Sequence, residues 1–339
     1  MRKRSRPNLF CLLFITAALI LGGADILTAT TVIKVSLITP EGSAWTNVLY
    51  RMAREVQNKT TGAVEFKIYA GGISGDEFDV LRKMRISRIH AAGFSGVGLG
   101  IIVPKVRILE APLLFENSRE IDLVRETLFD EFADAFERKG YILLGFAEAG
   151  LVYFFSKVHM SGPEGFKPVK MWVWKGDQVA RTSFEVFGIK SYPLHLADVN
   201  TGLETGMINS FYSPPLAAIA FQWHSKIQYM LNYPMVNSTG ALLLKKDIFD
   251  TLSKNNQAIL REVSRKFCNE LIGLARKENI EALKVLKEIG IVLENPSQTQ
   301  ILSLKKNAKK IYQKHMGDLY PVELFQKVQN ILKTYRKSS

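Results

Sequence analysis

Cysteine is almost absent from this chain of 339 residues: Cys11 and Cys268 are the only two. Cys11 falls inside an apolar N-terminal run, too early for a lipoprotein cysteine. A chain processed after that run keeps Cys268 alone and forms no internal disulfide, even in an oxidising compartment. The surroundings of Cys268, SRKFCNELIG, read as a buried helix position. Histidine is nearly as sparse. His90, His159, His195, His224 and His315 stand apart, with no HExxH and no paired cysteines, which argues against a structural metal or a zinc hydrolase. Neither a GxSxG elbow nor a GxxxxGKS or GxxxxGKT loop occurs, so no nucleophile or phosphate cradle is offered, and no cofactor is expected. Beyond the N-terminus no apolar run approaches the ~20 residues that span a bilayer. Proline is missing from Ile248 to Ile289, a stretch otherwise patterned as helix.

What is present begins with MRKRSRPNLFCLLFITAALILGGADILTATTVIKV. Arg2, Lys3, Arg4 and Arg6 precede an apolar run from Leu9 to Leu21 and then small residues, the pattern of a secretory signal occupying residues 1–29. Cleavage is expected after Ala24 or Ala29, and delivery to the periplasm follows; an uncleaved membrane tether is the alternative. Removing residues 1–29, with those four cations and Asp25, takes the formal charge from +13 to about +10. Positive charge is densest late, in KKNAKKIYQKH and KTYRKSS. An exported chain with no basic patch interleaved with aromatics argues against nucleic acid and for a solvated face, or weak attraction to anionic membrane.

The rest alternates strand-like and helix-like segments, the signature of an α/β fold. TVIKVSLI leads into WTNVLYRMAREVQNKTTG, whose Val48, Met52 and Val56 recur every four residues. AVEFKIYA, the turn GGISG and the helix DEFDVLRKMRISR follow. Glycines ahead of a helix suggest anion binding, but with no lysine or threonine in the right place a tight turn with Asp76 at the helix start is the better reading. From Leu151 the texture changes to short aromatic strands, LVYFFSKV, VKMWVW, SYPLHL and INSFYS. Alternation puts Tyr153 and Phe155 on one face and Val152 and Phe154 on the other, and pairs Trp172 with Trp174. Such ring density suggests a cleft lining as well as a core.

The phrases GGISGDEFDVLRKMRISRIHAAGFS, VPKVRILEAPLLFENSREI, KGYILLGFAEAG, GFKPVKMWVW and FGIKSYPLHLADVNTGLETGMINSFYSPPLAA, followed by KIQYMLNYP, occur in an order and spacing that resembles the solute-binding receptors of tripartite ATP-independent periplasmic (TRAP) transporters, the DctP-like family. The resemblance covers about residues 31–330. It implies a two-lobed α/β receptor, not an enzyme, with hinge strands and a long helix crossing both lobes, which hands one small molecule to ion-gradient-driven membrane permease subunits. The expected division is residues 1–29 as signal peptide, 30–149 with 238–277 as one lobe, and 150–237 with 278–339 as the other.

Departures from the family pattern bear on the ligand. The arginine of the family's KxR strand, which forks onto a ligand carboxylate, is matched by Trp172. The arginine of its GxR phrase is matched by Val152, and the asparagine after its GxxDGQE phrase by Ser213. A forked arginine contact is two charge-assisted hydrogen bonds of about 1.5–3 kcal/mol each, so losing it costs about a hundredfold or more in affinity. An indole offers one neutral N–H and a large apolar face. The expectation is therefore a hydrophobic or weakly polar ligand held by Trp172, Tyr153, Val152, Phe94, Phe211, Tyr212, Ser213 and Trp45, with Trp174 deeper in the lobe. The contrary reading is that Trp172 and Trp174 merely fill a core. A helical-repeat periplasmic protein is a further expected partner. The competing functions are an envelope lipid or hydrophobe carrier uncoupled from any permease, and an envelope enzyme, for which no nucleophile–base pair or metal cluster speaks.

Overall fold

The computed structural model describes residues 30–338. The signal sequence read at residues 1–29, with Cys11, lies outside the described residues.

One nine-stranded sheet runs through the molecule in the order β2-β1-β3-β8-β4-β7-β5-β6, with β9 added beside β8. The strands are β1 Thr31–Ser36, β2 Val64–Tyr69, β3 Ala91–Ser95, β4 Tyr141–Ser156, β5 Lys170–Trp174, β6 Lys190–Leu194, β7 Ser210–Ser213, β8 Tyr229–Lys245 and β9 Val292–Glu294. β1 pairs parallel with β2 and β3, and β5 pairs parallel with β6 and β7. These two groups form the two lobes. The long antiparallel pair β4 and β8 joins them, β8 against β3 at one end and β4 against β7 at the other.

The sequence pattern suggests separate short strands where the structure has these two long ones. KGYILLGFAEA and LVYFFSKV merge into β4, and the tract from Tyr229 merges with GALLLKK into β8. Continuity is broken only by register shifts, at Leu143/Gly145, Glu148/Gly150 and Val152/Phe154. Each shift bends the ribbon without ending it. Gly150 allows one of them, with φ +118° and a Cβ position that would fall 2.4 Å from Asn279 Nδ2.

Local signals set the helices. Ser43 accepts from Thr46 N to start Ala44–Lys59, which buries Val48, Leu49, Met52 and Val56. After Gly71, Gly72 and Gly75, all at positive φ, Asp76 caps Glu77–Arg85 by accepting from Phe78 N and Asp79 N, so GGISGD is a turn and cap. The proline-free tract divides at Ser253, which caps the 35-residue helix Lys254–Glu288. That helix passes beneath both lobes. Its Leu260, Phe267 and Leu271 join the core under β1 and β3, whereas Leu286 joins the core under β5 and β7. Each such side chain contributes about 1.5–3 kcal/mol on burial.

The opposite face of the sheet carries a single apolar cluster that includes Met84, Phe132, Phe136, Phe154, Phe184 and Phe325. Helix Gln298–His315 packs on Gln178–Phe187, but helix Val322–Ser338 returns to Ser118–Thr127. There Arg336 Nε donates to Glu120 Oε1 at 2.7 Å, and Lys327 reaches Glu131 at 2.9 Å. The final helix therefore packs on the β1–β3 lobe, whereas the division expected from the sequence puts residues 278–339 wholly in the other. An amphipathic helix shows its apolar face in sequence but not which lobe receives it.

Candidate ligand-binding site

Where the hinge pair passes between the lobes, the chain lines a partly open cavity of about 220 Å³. From the first lobe its wall includes Leu37 and Thr39 after β1, Trp45, and the junction of β3 with helix Gly96–Ile102 at Phe94 and Ser95. Val152 and Phe154 of β4 and the stretch from Met235 to Gly240 of β8 form its back. The second lobe supplies mostly rings, among them Trp172, Trp174, Phe184, Tyr212, Phe221 and Trp223. Bare backbone lets Trp45 lie close: a Cβ on Gly240 would come within 2.9 Å of its indole.

The residues expected from the sequence divide by strand face. Trp172, Val152, Phe94, Tyr212, Ser213 and Trp45 lie on the cavity wall. Tyr153 and Phe211 do not; they belong to the core beneath β5 and β7, where Phe211 stacks on Phe155 at 4.9 Å. Alternation is the reason, since Val152 and Phe154 turn one way and Tyr153 and Phe155 the other. Trp172 serves both core and wall. It is 2% exposed, its Nε1 donates to Leu194 O at 3.1 Å, and its ring stacks on Tyr212 at 5.3 Å and meets Trp223 edge-on at 5.2 Å. Trp174 is the more open of the two indoles, contrary to its expected place deeper in the lobe. Its strand ends there and the chain turns away through Lys175 and Gly176. The Ser213 hydroxyl donates to Pro214 O at 2.8 Å.

A buried charged group on this wall escaped the sequence reading. Arg107, from the 3-10 segment Pro104–Glu110, donates through Nη2 to Asp177 Oδ1 at 2.8 Å, and its Nε lies 2.8 Å from Glu110 Oε2. The latter contact is an ion pair without hydrogen-bond alignment, because Nε has no hydrogen-bond partner. Asp177 also accepts from Tyr212 OH at 2.7 Å and, as the cap of helix Gln178–Phe187, from Ala180 N at 3.1 Å. Glu110 accepts from Thr239 N at 2.7 Å, and Glu77 from Ser95 N, Ser95 Oγ and Gly98 N. Burial pushes Glu110 up to about 7 although Arg107 opposes it, and burial likewise raises Glu77 against its hydrogen bonds. Burial disfavours the charge on Arg107, yet Asp177 and Glu110 outweigh it and hold the guanidinium ionised. Tyr212 is held protonated by burial and by Asp177. A charged pair at Arg107 and Glu110 inside the apolar tract VPKVRILEAPLL was the available signal.

Besides the Arg107 Nε that faces Glu110, two neutral donors on the wall have no acceptor, Trp174 Nε1 and Asn237 Nδ2. A second interlobe tie joins the cap of helix Glu77–Arg85 to the residue after β6, where His195 Nδ1 is 2.7 Å from Asp76 Oδ2. Among the described residues no group of three or more His, Cys, Asp or Glu is placed to hold a metal ion. The arrangement offers a partly open cleft, rings and a few hydrogen bonds.

The family model for bacterial extracellular solute-binding proteins, family 7 (DctP), matches residues 35–318. The chain belongs to that family. It is 25% identical over 248 residues to a solute-binding protein of Chromohalobacter salexigens, covering 72% of each chain. It is 20% identical over 237 residues to the C4-dicarboxylate-binding periplasmic protein of Rhodobacter capsulatus, covering 68% of this chain and 70% of that protein. Two solved structures share the fold. The sugar acid binding protein of Advenella mimigardefordensis in complex with galactonate superposes with a TM-score of 0.84 at 19% identity, over 90% of this chain and 99% of that one. A TRAP periplasmic solute-binding protein of Haemophilus influenzae with bound L-gulonate gives 0.83 at 19% identity, over 89% and 100%. This DctP-family chain is thus a periplasmic solute receptor of the TRAP type and not an enzyme. Such receptors bind small molecules and work with membrane permease subunits. No helix among the described residues is long and apolar enough to cross a membrane.

Proposed function

We propose that this receptor takes a hydrophobic or weakly polar small molecule and not a dicarboxylate or sugar acid. The observation that carries the reading is Arg107, the guanidinium on the wall, which is already held between Asp177 and Glu110. An incoming carboxylate meets no free cation there, and an unpaired charge moved out of water costs several kcal/mol. The rings around the cavity favour an apolar guest, since about 200 Å² of apolar ligand surface buried contributes about 5 kcal/mol. Several relatives are named for, or were solved with, carboxylates: C4-dicarboxylates, 2,3-diketo-L-gulonate, L-gulonate and galactonate. The match of Trp172 and Val152 to the family's arginine positions supports a different choice in this chain. Trp172, Val152, Phe94, Tyr212, Ser213 and Trp45 are the proposed contacts.

Residues 1–29 are proposed as the export signal. A helical-repeat periplasmic protein is a proposed partner alongside the permease subunits. The same apolar wall also suits an envelope lipid or hydrophobe carrier uncoupled from a permease, a reading favoured if no permease genes adjoin this one.

Mass spectrometry of an organic extract of the purified protein tests the ligand class directly. A co-purified apolar compound is expected. Micromolar binding of a C4-dicarboxylate in isothermal titration would overturn the proposal.

A further inference from the structure

The buried side-chain polar atoms of the cavity wall that lack a hydrogen bond are all N–H donors. Its carboxylates are engaged: Asp177 by Arg107, Tyr212 and Ala180 N, Glu110 by Arg107 and Thr239 N, and Glu77 by Ser95 and Gly98. What remains, besides the Arg107 Nε that faces Glu110, is two neutral N–H donors. Asn237 is 4% exposed and shares its face of β8 with Met235 and Ala241 of the core, yet its Nδ2 has no partner. Trp174 Nε1 is likewise buried and unpartnered, whereas the neighbouring Trp172 Nε1 is satisfied by Leu194 O. Turning the Asn237 amide over would exchange donor for acceptor, but an indole N–H has no acceptor form. Buried donors in native structures find acceptors, so two orphans on one cavity wall describe the missing half of a contact.

We infer that the ligand is a neutral, mainly apolar small molecule bearing a carbonyl-type oxygen, such as a ketone, ester or amide, that accepts from Trp174 Nε1 and Asn237 Nδ2. This rests on the apolar-ligand reading and narrows it. An ionised carboxylate is also an acceptor, but two neutral donors do not compensate its charge, and Arg107 on the same wall is already paired with Asp177. A hydrocarbon would enter the cavity and leave both donors unpaired.

Three probes of matched shape separate these cases in isothermal titration of the wild-type receptor: acetophenone, ethylbenzene and benzoate. Acetophenone is expected to bind about tenfold tighter than ethylbenzene, the worth of one to two neutral hydrogen bonds. In Asn237→Leu or Trp174→Phe that ratio is expected to fall toward one, with thermal unfolding of each variant recorded to verify a folded state. Equal affinity of acetophenone and ethylbenzene in the wild type overturns the carbonyl inference and leaves the apolar reading standing. A ratio unchanged in both variants removes Trp174 and Asn237 from the contact. Tightest binding by benzoate, or no saturable binding of either neutral probe, overturns the apolar reading itself.

Discussion

Arg107 Nη2 donates to Asp177 Oδ1 at 2.8 Å across 70 positions of sequence, tying the segment between β3 and β4 to the cap of the helix that follows β5. One guanidinium thus joins the two sides of the cavity and uses a protein carboxylate where a ligand carboxylate would otherwise pair. The contact between Asp76 and His195 joins the same two lobes.

Replacing Asp177 with Asn keeps a capping side chain for Gln178–Phe187 but removes the charge that occupies Arg107. Affinity for benzoate is expected to rise by about tenfold or more in Asp177→Asn, because a hydrogen bond to a charged group contributes about 1.5–3 kcal/mol. Isothermal titration of both proteins reads this directly. An unchanged affinity would mean that Arg107 is out of a ligand's reach.

Glu110 titrates at about 7 in the folded protein, above its ordinary 4.5, because burial disfavours its charge more than Arg107 favours it. Between those values the folded state holds a proton that the unfolded state has lost. The contribution of Glu110 to stability is therefore full below about pH 4.5 and declines as pH rises through about 7. Denaturant unfolding at a series of pH values should show that decline, and Glu110→Gln should flatten it. Glu77 is raised in the same direction by burial, so a residual slope in Glu110→Gln belongs to it. A wild-type stability that rises across this window would contradict the assignment.

Trp172→Ala is expected to cost about 3–5 kcal/mol of stability, the range for emptying a large aromatic site. The ring is 2% exposed, stacks on Tyr212 and has its N–H bonded to Leu194 O. Trp174→Phe, by contrast, removes an N–H that nothing in the protein accepts, and should leave stability within about 1 kcal/mol. Equal losses in the two variants would show that both indoles are core.

Asn279 on the long helix donates to Ala149 O at 2.7 Å and to Ala275 O at 2.8 Å, and accepts from Leu216 N at 3.0 Å. It thereby fastens helix Lys254–Glu288 to β4 at its bend and to helix Pro215–Ala220. Asn279→Ala should leave a buried carbonyl and amide without partners and cost about 2 kcal/mol or more. Gly150→Ala should be at least as damaging, since the residue sits at φ +118° and its Cβ would press into Asn279. Chemical denaturation of the two single variants checks both.

Much of this architecture was legible in the residues. Val48, Met52 and Val56 at helical spacing, Asp76 after a glycine-rich turn, and a proline-free tract from Ile248 to Ile289 each have a local cause, and the structure has a helix, a cap and a long helix there. Strand period 2 also separated Val152 from Tyr153 correctly, without saying which face held the cavity. The full length of the hinge strands was not legible, because Gly150 reads as a break between YILLGFAEA and LVYFFSKV, whereas pairing with β8 carries the ribbon through it as a bulge.

By itself the sequence determined the alternation of strands and helices, the scarcity of metal-binding and nucleophilic groups, and a second lobe rich in rings. Those follow from composition and from side chains a few positions apart. Only the tertiary structure decided that Arg107 meets Asp177 and Glu110, that Trp172 is core and wall together, and that Trp174 and Asn237 are left with donors to spare. Whether a polar group is satisfied depends on what folding brings within about 3 Å of it, and a partner such as Asp177 lies 70 positions from Arg107 along the chain.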